Sequence, residues 1–167
     1  LFTGRSDELG MIARAMEDFK DGLLVDPLTG ALTRNTFEKR FSAHLNSLPD
    51  AGFAIVFIDL DRFKAVNDEH GHAVGDAVLA ISAQRIASVM RRDDLLSRYG
   101  GDEFVLLLPG LISDDTLDSQ LARLSAVLDQ PIALAGSSIN AGGSCGGALY
   151  PRDGTTLDQL IKVADAK

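Results

Sequence analysis

Acidic side chains stand at two points where apolar runs meet turns. In "SRYGGDEFVLLLPG", Ser97 to Gly110, Asp102 and Glu103 follow a Gly-Gly pair and directly precede the run Phe104–Leu108. In "FAIVFIDLDRFKAVND", Asp59 and Asp61 close a second apolar run. Alternation along an extended strand puts Asp59 and Asp61 on one face and Leu60 on the other. A carboxylate at a buried strand end is costly unless it is paired or bound to a cation. If the two strands are neighbours, Asp59 and Asp102 turn several oxygens toward one point. That is a hard-cation site, suited to magnesium with substrate phosphates completing its shell. Two such ions could activate an attacking hydroxyl and steady a leaving pyrophosphate. Either acid alone reads rather as solvated charge; both together, each beside a buried run, favour metal.

Composition narrows the setting of that chemistry. A chain of 167 residues, 46% hydrophobic and 24% charged, suits one globular domain with its own core. The net charge of -8 leaves no basic stripe for a nucleic-acid backbone, so no nucleic-acid partner is expected. A nucleotide remains open, because cations held by carboxylates can meet its phosphates. The single cysteine, Cys145, excludes an internal disulfide and a multi-cysteine zinc site and reads as a packed strand residue. No apolar stretch approaches the roughly 20 residues of a membrane span, and no signal peptide is visible. The chain starts without Met and stops inside a helical pattern, which reads as a fragment.

The elements that must position the acids follow from periodicity. Leu9, Ile12, Met16, Phe19 and Leu23 recur at three- and four-residue steps, with Ser6 as a candidate N-cap. That spacing fits a coiled-coil seam and equally a helix packed on its own domain. Pro27 in "VDPLTG" ends it. A helix carries Phe37, Phe41, Leu45 and Leu48, and "FAIVFIDLD" is a central strand. "RFKAVNDEHGHAVGD" is polar and turn-rich, and a helix marked by Leu79, Ala83, Ile86 and Met90 follows, beginning near Asp76. "LLSRY" and "EFVLLLP" form a hairpin whose two glycines can take positive φ. A helix through Leu117, Leu121, Leu124 and Leu128, a second hairpin from "PIAL" and "SSINAGGSCGGALY", and a closing helix from Leu157 complete the order α-β-α-β-β-α-β-β-α. This predicts an α+β fold, an α/β sandwich with a mixed sheet on the ferredoxin-like theme.

"RYGGDEF" resembles the signature of the GGDEF family, the diguanylate cyclases. The similarity extends through "DPLTG", "FIDLDRFKAVNDEHGHAVGD" and "YPRDGTTLDQLIKVAD", and covers nearly everything from Asp26 onward. The resemblance implies a five-stranded, palm-like nucleotide-cyclase sheet surrounded by helices. It implies condensation of two GTP into cyclic di-GMP, each 3′-hydroxyl attacking the other's α-phosphate with loss of pyrophosphate. It implies two Mg2+ or Mn2+ ions per site and a homodimer, since each domain holds one GTP. By the same resemblance Asp59, Asp102 and the Leu60 carbonyl are the metal ligands, and Asp102 is credited with taking the hydroxyl proton, although a metal-bound carboxylate is a weak base. Glu103 supports metals or hydroxyl, and Lys64 faces the phosphates. Asn67 and Asp76 read guanine, which suits an amide and a carboxylate, with a helix N-cap as the other role for Asp76. Phe63 and His72 border the substrate, and Gly100 and Gly101 admit the phosphates. Arg91 and Asp94 match an RxxD inhibitory site for cyclic di-GMP; read alone they are a surface ion pair.

Three departures stand out. The chain stops at "VADAK", before the family's "YxAK" stretch, so the fragment is expected to bind GTP poorly or turn over slowly. Cys145 and Gly147 occupy positions of larger aliphatics, which predicts a loose strand. Ala31 and Thr33 replace the usual Leu and Asn. "DELGMIARAMEDF" resembles the closing helix of a HAMP relay domain, which divides the chain into a signalling helix and linker over residues 1–25 and a GGDEF domain over 26–167. It implies a cytoplasmic domain of an inner-membrane bacterial protein, touching membrane only through upstream segments. "GALYPRDG" resembles GGDEF domains that precede an EAL phosphodiesterase. Three functions compete: a product-inhibited diguanylate cyclase, a silent GTP-binding domain regulating an attached phosphodiesterase, and a structural dimerisation module.

Overall fold

The computed structural model describes residues 8–13, 15–16, 22–134 and 136–167. Ser6 and Phe19 of the expected seam lie outside them. The described residues of the opening helix include Leu9, Ile12 and Met16, all exposed rather than packed on the domain. Among the described residues, no helix is long and apolar enough to cross a membrane.

The elements are β1 (Leu32–Thr33), α1 (Arg34–Ser47), β2 (Phe53–Leu60), α2 (Phe63–His70), α3 (His72–Ser88), β3 (Leu95–Arg98) and β4 (Glu103–Pro109), followed by α4 (Asp114–Leu128), β5 (Ile132–Leu134), β6 (Ser137–Ile139), β7 (Gly143–Tyr150) and α5 (Leu157–Asp165). Five strands form one sheet in the order β1-β3-β4-β2-β7. Only β1 and β3 run parallel; β4 and β7 flank β2 antiparallel along its whole length.

Period-two alternation divides β2 between two cores. Ala54, Val56 and Ile58 pack with Leu79 and Ile86 of α3 and Leu124 of α4. Phe53, Ile55 and Phe57 face the opposite layer, with Phe37 and Phe41 of α1 and Leu160 of α5. Phe53 is fully buried, stacked on Tyr150 at 4.5 Å between ring centroids and edge-on to Phe41 at 5.7 Å. The helix-covered, five-stranded mixed sheet expected from the sequence is therefore present.

Three details differ. The polar run after Asp61 is not loop: it forms α2, and α3 then begins at His72. The two helices turn on Gly71, whose φ of 88° is left-handed and favours glycine. The second expected hairpin is split. β6 pairs with β5 in a small separate sheet, and after Gly142 (φ 69°) the chain leaves for the edge of the main sheet as β7. The glycines of β7 do not interrupt its pairing, and β7 matches β2 residue for residue from Gly143 to Tyr150. They make room for the helices on both faces. A Cβ on Gly146 would collide with the Ala164 carbonyl of α5, and one on Gly147 would come 2.6 Å from Leu117 of α4. Cys145 is partly buried beside the α3–α4 core, and burial pushes its thiol up to about 11, so it stays a protonated packing residue.

Candidate active site

β2 carries its apolar run to Ile58 and then ends in acid. Asp59 lies opposite Glu103 of β4, and the Leu60 N–H donates to the Asp102 carbonyl at 3.1 Å. The two acid-bearing strand ends are thus direct neighbours. Asp59 is exposed at the strand end, yet partial desolvation by the surrounding protein, followed by the charges of Asp102, Asp61 and Asp165, lifts its carboxyl above the ordinary value of 3.8. Burial and then Asp59, Asp102 and Asp165 likewise raise Glu103 above 4.5, opposed by Arg34. Asp61, beyond the strand, accepts from the Ser144 hydroxyl at 2.7 Å. Among the described residues, no lysine or arginine forms an ion pair with Asp59, Asp102 or Glu103.

Mutually repelling carboxylates that form no ion pair with a base are a donor set for a hard cation. The protein does not complete the shell by itself. Among the described residues, no group of three His, Cys, Asp or Glu side chains gathers closely enough to hold a metal. The residues fit a cation that also takes oxygens from water and from a bound phosphate.

The Gly-Gly turn differs from the expected one. Neither Gly100 nor Gly101 has positive φ; the loop closes with the Tyr99 and Gly100 N–H groups donating to the Glu103 carbonyl at 2.8 and 3.3 Å. Gly100 is small for a different reason: a Cβ there would lie 2.5 Å from the Glu103 carboxylate. Gly101 is exposed.

The loop is held by side chains that sequence reasoning gave no role. Arg98 donates through Nε and Nη2 to the Gly101 carbonyl at 3.1 and 2.9 Å, while its Nη1 reaches Asp26 at 3.3 Å. That fork ties the acidic loop to the "DPLTG" turn, in which Asp26 also accepts from the Thr29 N–H and hydroxyl. Tyr99 is clamped by α1: Arg34 lies 4.3 Å above its ring, and its hydroxyl donates to Glu38 at 3.1 Å. Burial pushes that hydroxyl up to about 12, so it remains a donor. Both residues lie within the quoted motif, but their partners are distant in sequence.

The α2–α3 corner carries the other predicted residues. Lys64 and His72 are exposed, Asn67 is half-buried, and Phe63 packs on the α3–α4 core. Asp76 caps nothing, because Gly71 precedes the helix and Asp76 lies in its second turn. Its N-cap role is therefore removed. The Asn67 amide rests on Gly75, one residue before Asp76 in α3.

Arg91 and Asp94 form a tight turn after α3. The Asp94 carboxylate accepts from the Arg91 backbone N–H at 2.7 Å, and among the described residues the two side chains make no ion pair. Burial raises Asp94 above 3.8, against that hydrogen bond. A cleft of about 200 Å³ opens beside the turn, lined by Arg91 and Asp94 and, from α4, by Gln120 and Arg123. Arg123 is a second guanidinium that the sequence did not flag.

The strand order, the helices on both faces and the acid-tipped hairpin define a palm-like α+β domain of the GGDEF kind. Residues 23–167 match the family described as "Diguanylate cyclase, GGDEF domain", and the chain belongs to that family. It is similar to the cyclic di-GMP phosphodiesterase NbdA of Pseudomonas aeruginosa, 40% identical over 141 residues that cover 83% of this chain and 18% of NbdA. It is also similar to the diguanylate cyclase TpbB of that organism, 40% identical over 143 residues covering 84% of this chain and 33% of TpbB. The chain thus spans no more than 33% of the length of either. A solved form of TpbB comprising only its GGDEF domain superposes with a TM-score of 0.79 at 40% identity, over 84% of each chain. A sensory box/GGDEF family protein from Caulobacter crescentus gives 0.78 at 36% identity, over 86% of this chain and 94% of that chain.

Proposed function

We propose that this domain is a diguanylate cyclase in bacterial signal transduction, condensing two GTP into cyclic di-GMP across a homodimer. The observation that carries the reading is the acid end of β2 and β4, where the backbone segments bearing Asp59 and Asp102 are direct neighbours and, among the described residues, neither acid forms an ion pair. Asp59, Asp102 and the Leu60 carbonyl would hold two Mg2+ or Mn2+ ions, which when bound supply charge neutralisation at the phosphates and acidify the 3′-hydroxyl. Lys64, exposed on α2, offsets negative charge on the phosphates. Asn67 and Asp76 hold guanine through hydrogen bonds, with Phe63 and His72 bordering the nucleotide. Gly100 and Gly101 let the loop backbone approach the phosphates. Each 3′-oxygen bonds to the partner nucleotide's α-phosphorus as the α–β bridging bond breaks. Pyrophosphate leaves, and the hydroxyl proton passes to the Asp102–Glu103 carboxylates. Arg91, Asp94 and Arg123 form the product-binding inhibitory cleft. The exposed residues Leu9, Ile12 and Met16 belong to a HAMP-like signalling helix that pairs two domains on the cytoplasmic face of a membrane.

The test is cyclic di-GMP formation from GTP with Mg2+ or Mn2+ by the protein carrying its native flanking segments. Product that vanishes in Asp102→Ala supports the reading, and continued synthesis by that variant overturns it. Inhibition by added cyclic di-GMP should disappear in Arg91→Ala. A second reading draws on the likeness to NbdA, a phosphodiesterase: a GTP-binding domain that makes no product and regulates an attached EAL domain. Tight GTP binding with no synthesis would select it.

A further inference from the structure

Gly75 sits inside α3, buried, in ordinary helical geometry without a positive φ. Nothing in the backbone there asks for glycine, and glycine inside a helix destabilises it relative to alanine. The reason lies across the corner in α2. For a Cβ placed on Gly75, the three nearest heavy atoms all belong to the Asn67 side chain. Its amide oxygen would be far inside contact distance, its Cγ at 2.8 Å and its nitrogen at 3.4 Å. The Asn67 amide therefore turns its oxygen end toward the one bare Cα that α3 offers it.

This differs from the helix contact at Gly146, where the colliding atom is a backbone carbonyl that cannot move aside. At Gly75 the colliding group is the tip of a side chain that can rotate away. A methyl group there spares the fold and displaces the amide.

We propose that Gly75 is a positioning residue for guanine recognition: it seats the Asn67 amide against α3, one residue before Asp76, and so fixes which edge of the base the site accepts. The inference rests on the reading of Asn67 and Asp76 as the guanine-binding pair. An amide presents a carbonyl on one side and an NH2 on the other, so its orientation decides whether it meets a donor or an acceptor on the base. An Asn free to rotate gives hydrogen bonds without selectivity. Packed on Gly75 it has one orientation, and Asp76 stands next in the chain to meet the neighbouring base positions. The helix gives up local stability at this point, and base selectivity is what it gains.

The two roles of a small residue make opposite predictions here. A glycine required by the fold loses stability on substitution. A glycine required by the amide keeps or gains stability and loses ligand. The experiment measures by calorimetry in magnesium the affinity for GTP and ATP analogues whose α–β bridge is a methylene and cannot break, together with thermal unfolding, for wild type, Asn67→Ala, Gly75→Ala and the double variant. Gly75→Ala is expected to weaken GTP roughly 10-fold, the worth of one hydrogen bond, and to narrow the preference for GTP over ATP. Asn67→Ala should do the same, and the double variant should be no weaker than either, because both changes remove one interaction. In the Asn67→Ala background, where the clash is gone, Gly75→Ala should raise Tm by about 1–4 °C. Wild-type GTP affinity and selectivity in Gly75→Ala would overturn the proposal. So would unfolding of the double variant, which would make Gly75 a packing residue. If Asn67→Ala itself binds GTP as the wild type does, the guanine-pair reading fails first and the proposal with it, a result distinct from failure at Gly75 alone.

Discussion

The two ends of β2 carry the same functional group in opposite electrostatic states. Beyond the Phe53 end, where β2 meets Tyr150, Arg152 extends its guanidinium to Asp114 at 2.7 Å and to Asp153 at 3.0 Å. Asp153 also accepts from the Leu149 N–H at 2.7 Å, and both carboxyls are held below 3.8, first by the hydrogen bond to Arg152. At the Leu60 end, Asp59 and Glu103 are raised, first by partial desolvation and then by neighbouring acids. One end supplies its own counter-charge and closes a corner of the fold. The other gathers acids that form no ion pair with a base among the described residues. Under the proposed function, the open end is where a cation from outside would supply the missing charge.

The sharpest way to break that comparison is to remove charge from the open end. Asp59→Asn and Asp102→Ala should each lower cyclic di-GMP synthesis by roughly 10³-fold or more, as loss of a group that stabilises transition-state charge does, while circular dichroism stays native. Next comes ligand linkage. GTP with magnesium at a hundred times its Kd should raise the wild-type Tm by roughly 5–10 °C and leave Asp59→Asn unmoved.

Acid titration of the metal-free protein separates the ends by sign. Asp59 and Glu103 bind protons more readily folded than unfolded, so stability rises as pH falls through their raised native values toward the ordinary 3.8 and 4.5. Asp153 does the reverse: its contribution is fully present above 3.8 and is lost as pH falls through its lowered native value. Asp59→Asn should therefore shrink the first limb of a stability–pH curve, leaving the part due to Glu103, and Asp153→Asn should shrink the second. The smallest effect belongs to Arg152→Ala, a slight fall in Tm that salt diminishes further, because that pair is exposed.

What the sequence revealed divides along physical lines. Phe53–Ile58 and Phe104–Leu108 were legible as strands because continuous apolar runs state their own burial. Asp59 and Asp102 were legible because acids at the ends of such runs are costly without a purpose. α2 was not: it is short and polar, buries only Val66, and is held by packing on α3 across the Gly71 corner. β7 read as half a hairpin because its glycines answer to α4 and α5 rather than to strand propensity. Arg98 went unassigned because its partner Asp26 lies 72 residues away. Arg123 and Gly75 have significance only through contacts across helices, which no local pattern encodes.

The most direct test of the acid end is calorimetry of binding by a GTP analogue with a methylene α–β bridge, with and without magnesium, on wild type and on Asp59→Asn. The account predicts that wild-type binding depends on the cation and that the substitution abolishes that dependence. Equal affinity in all four conditions would contradict it.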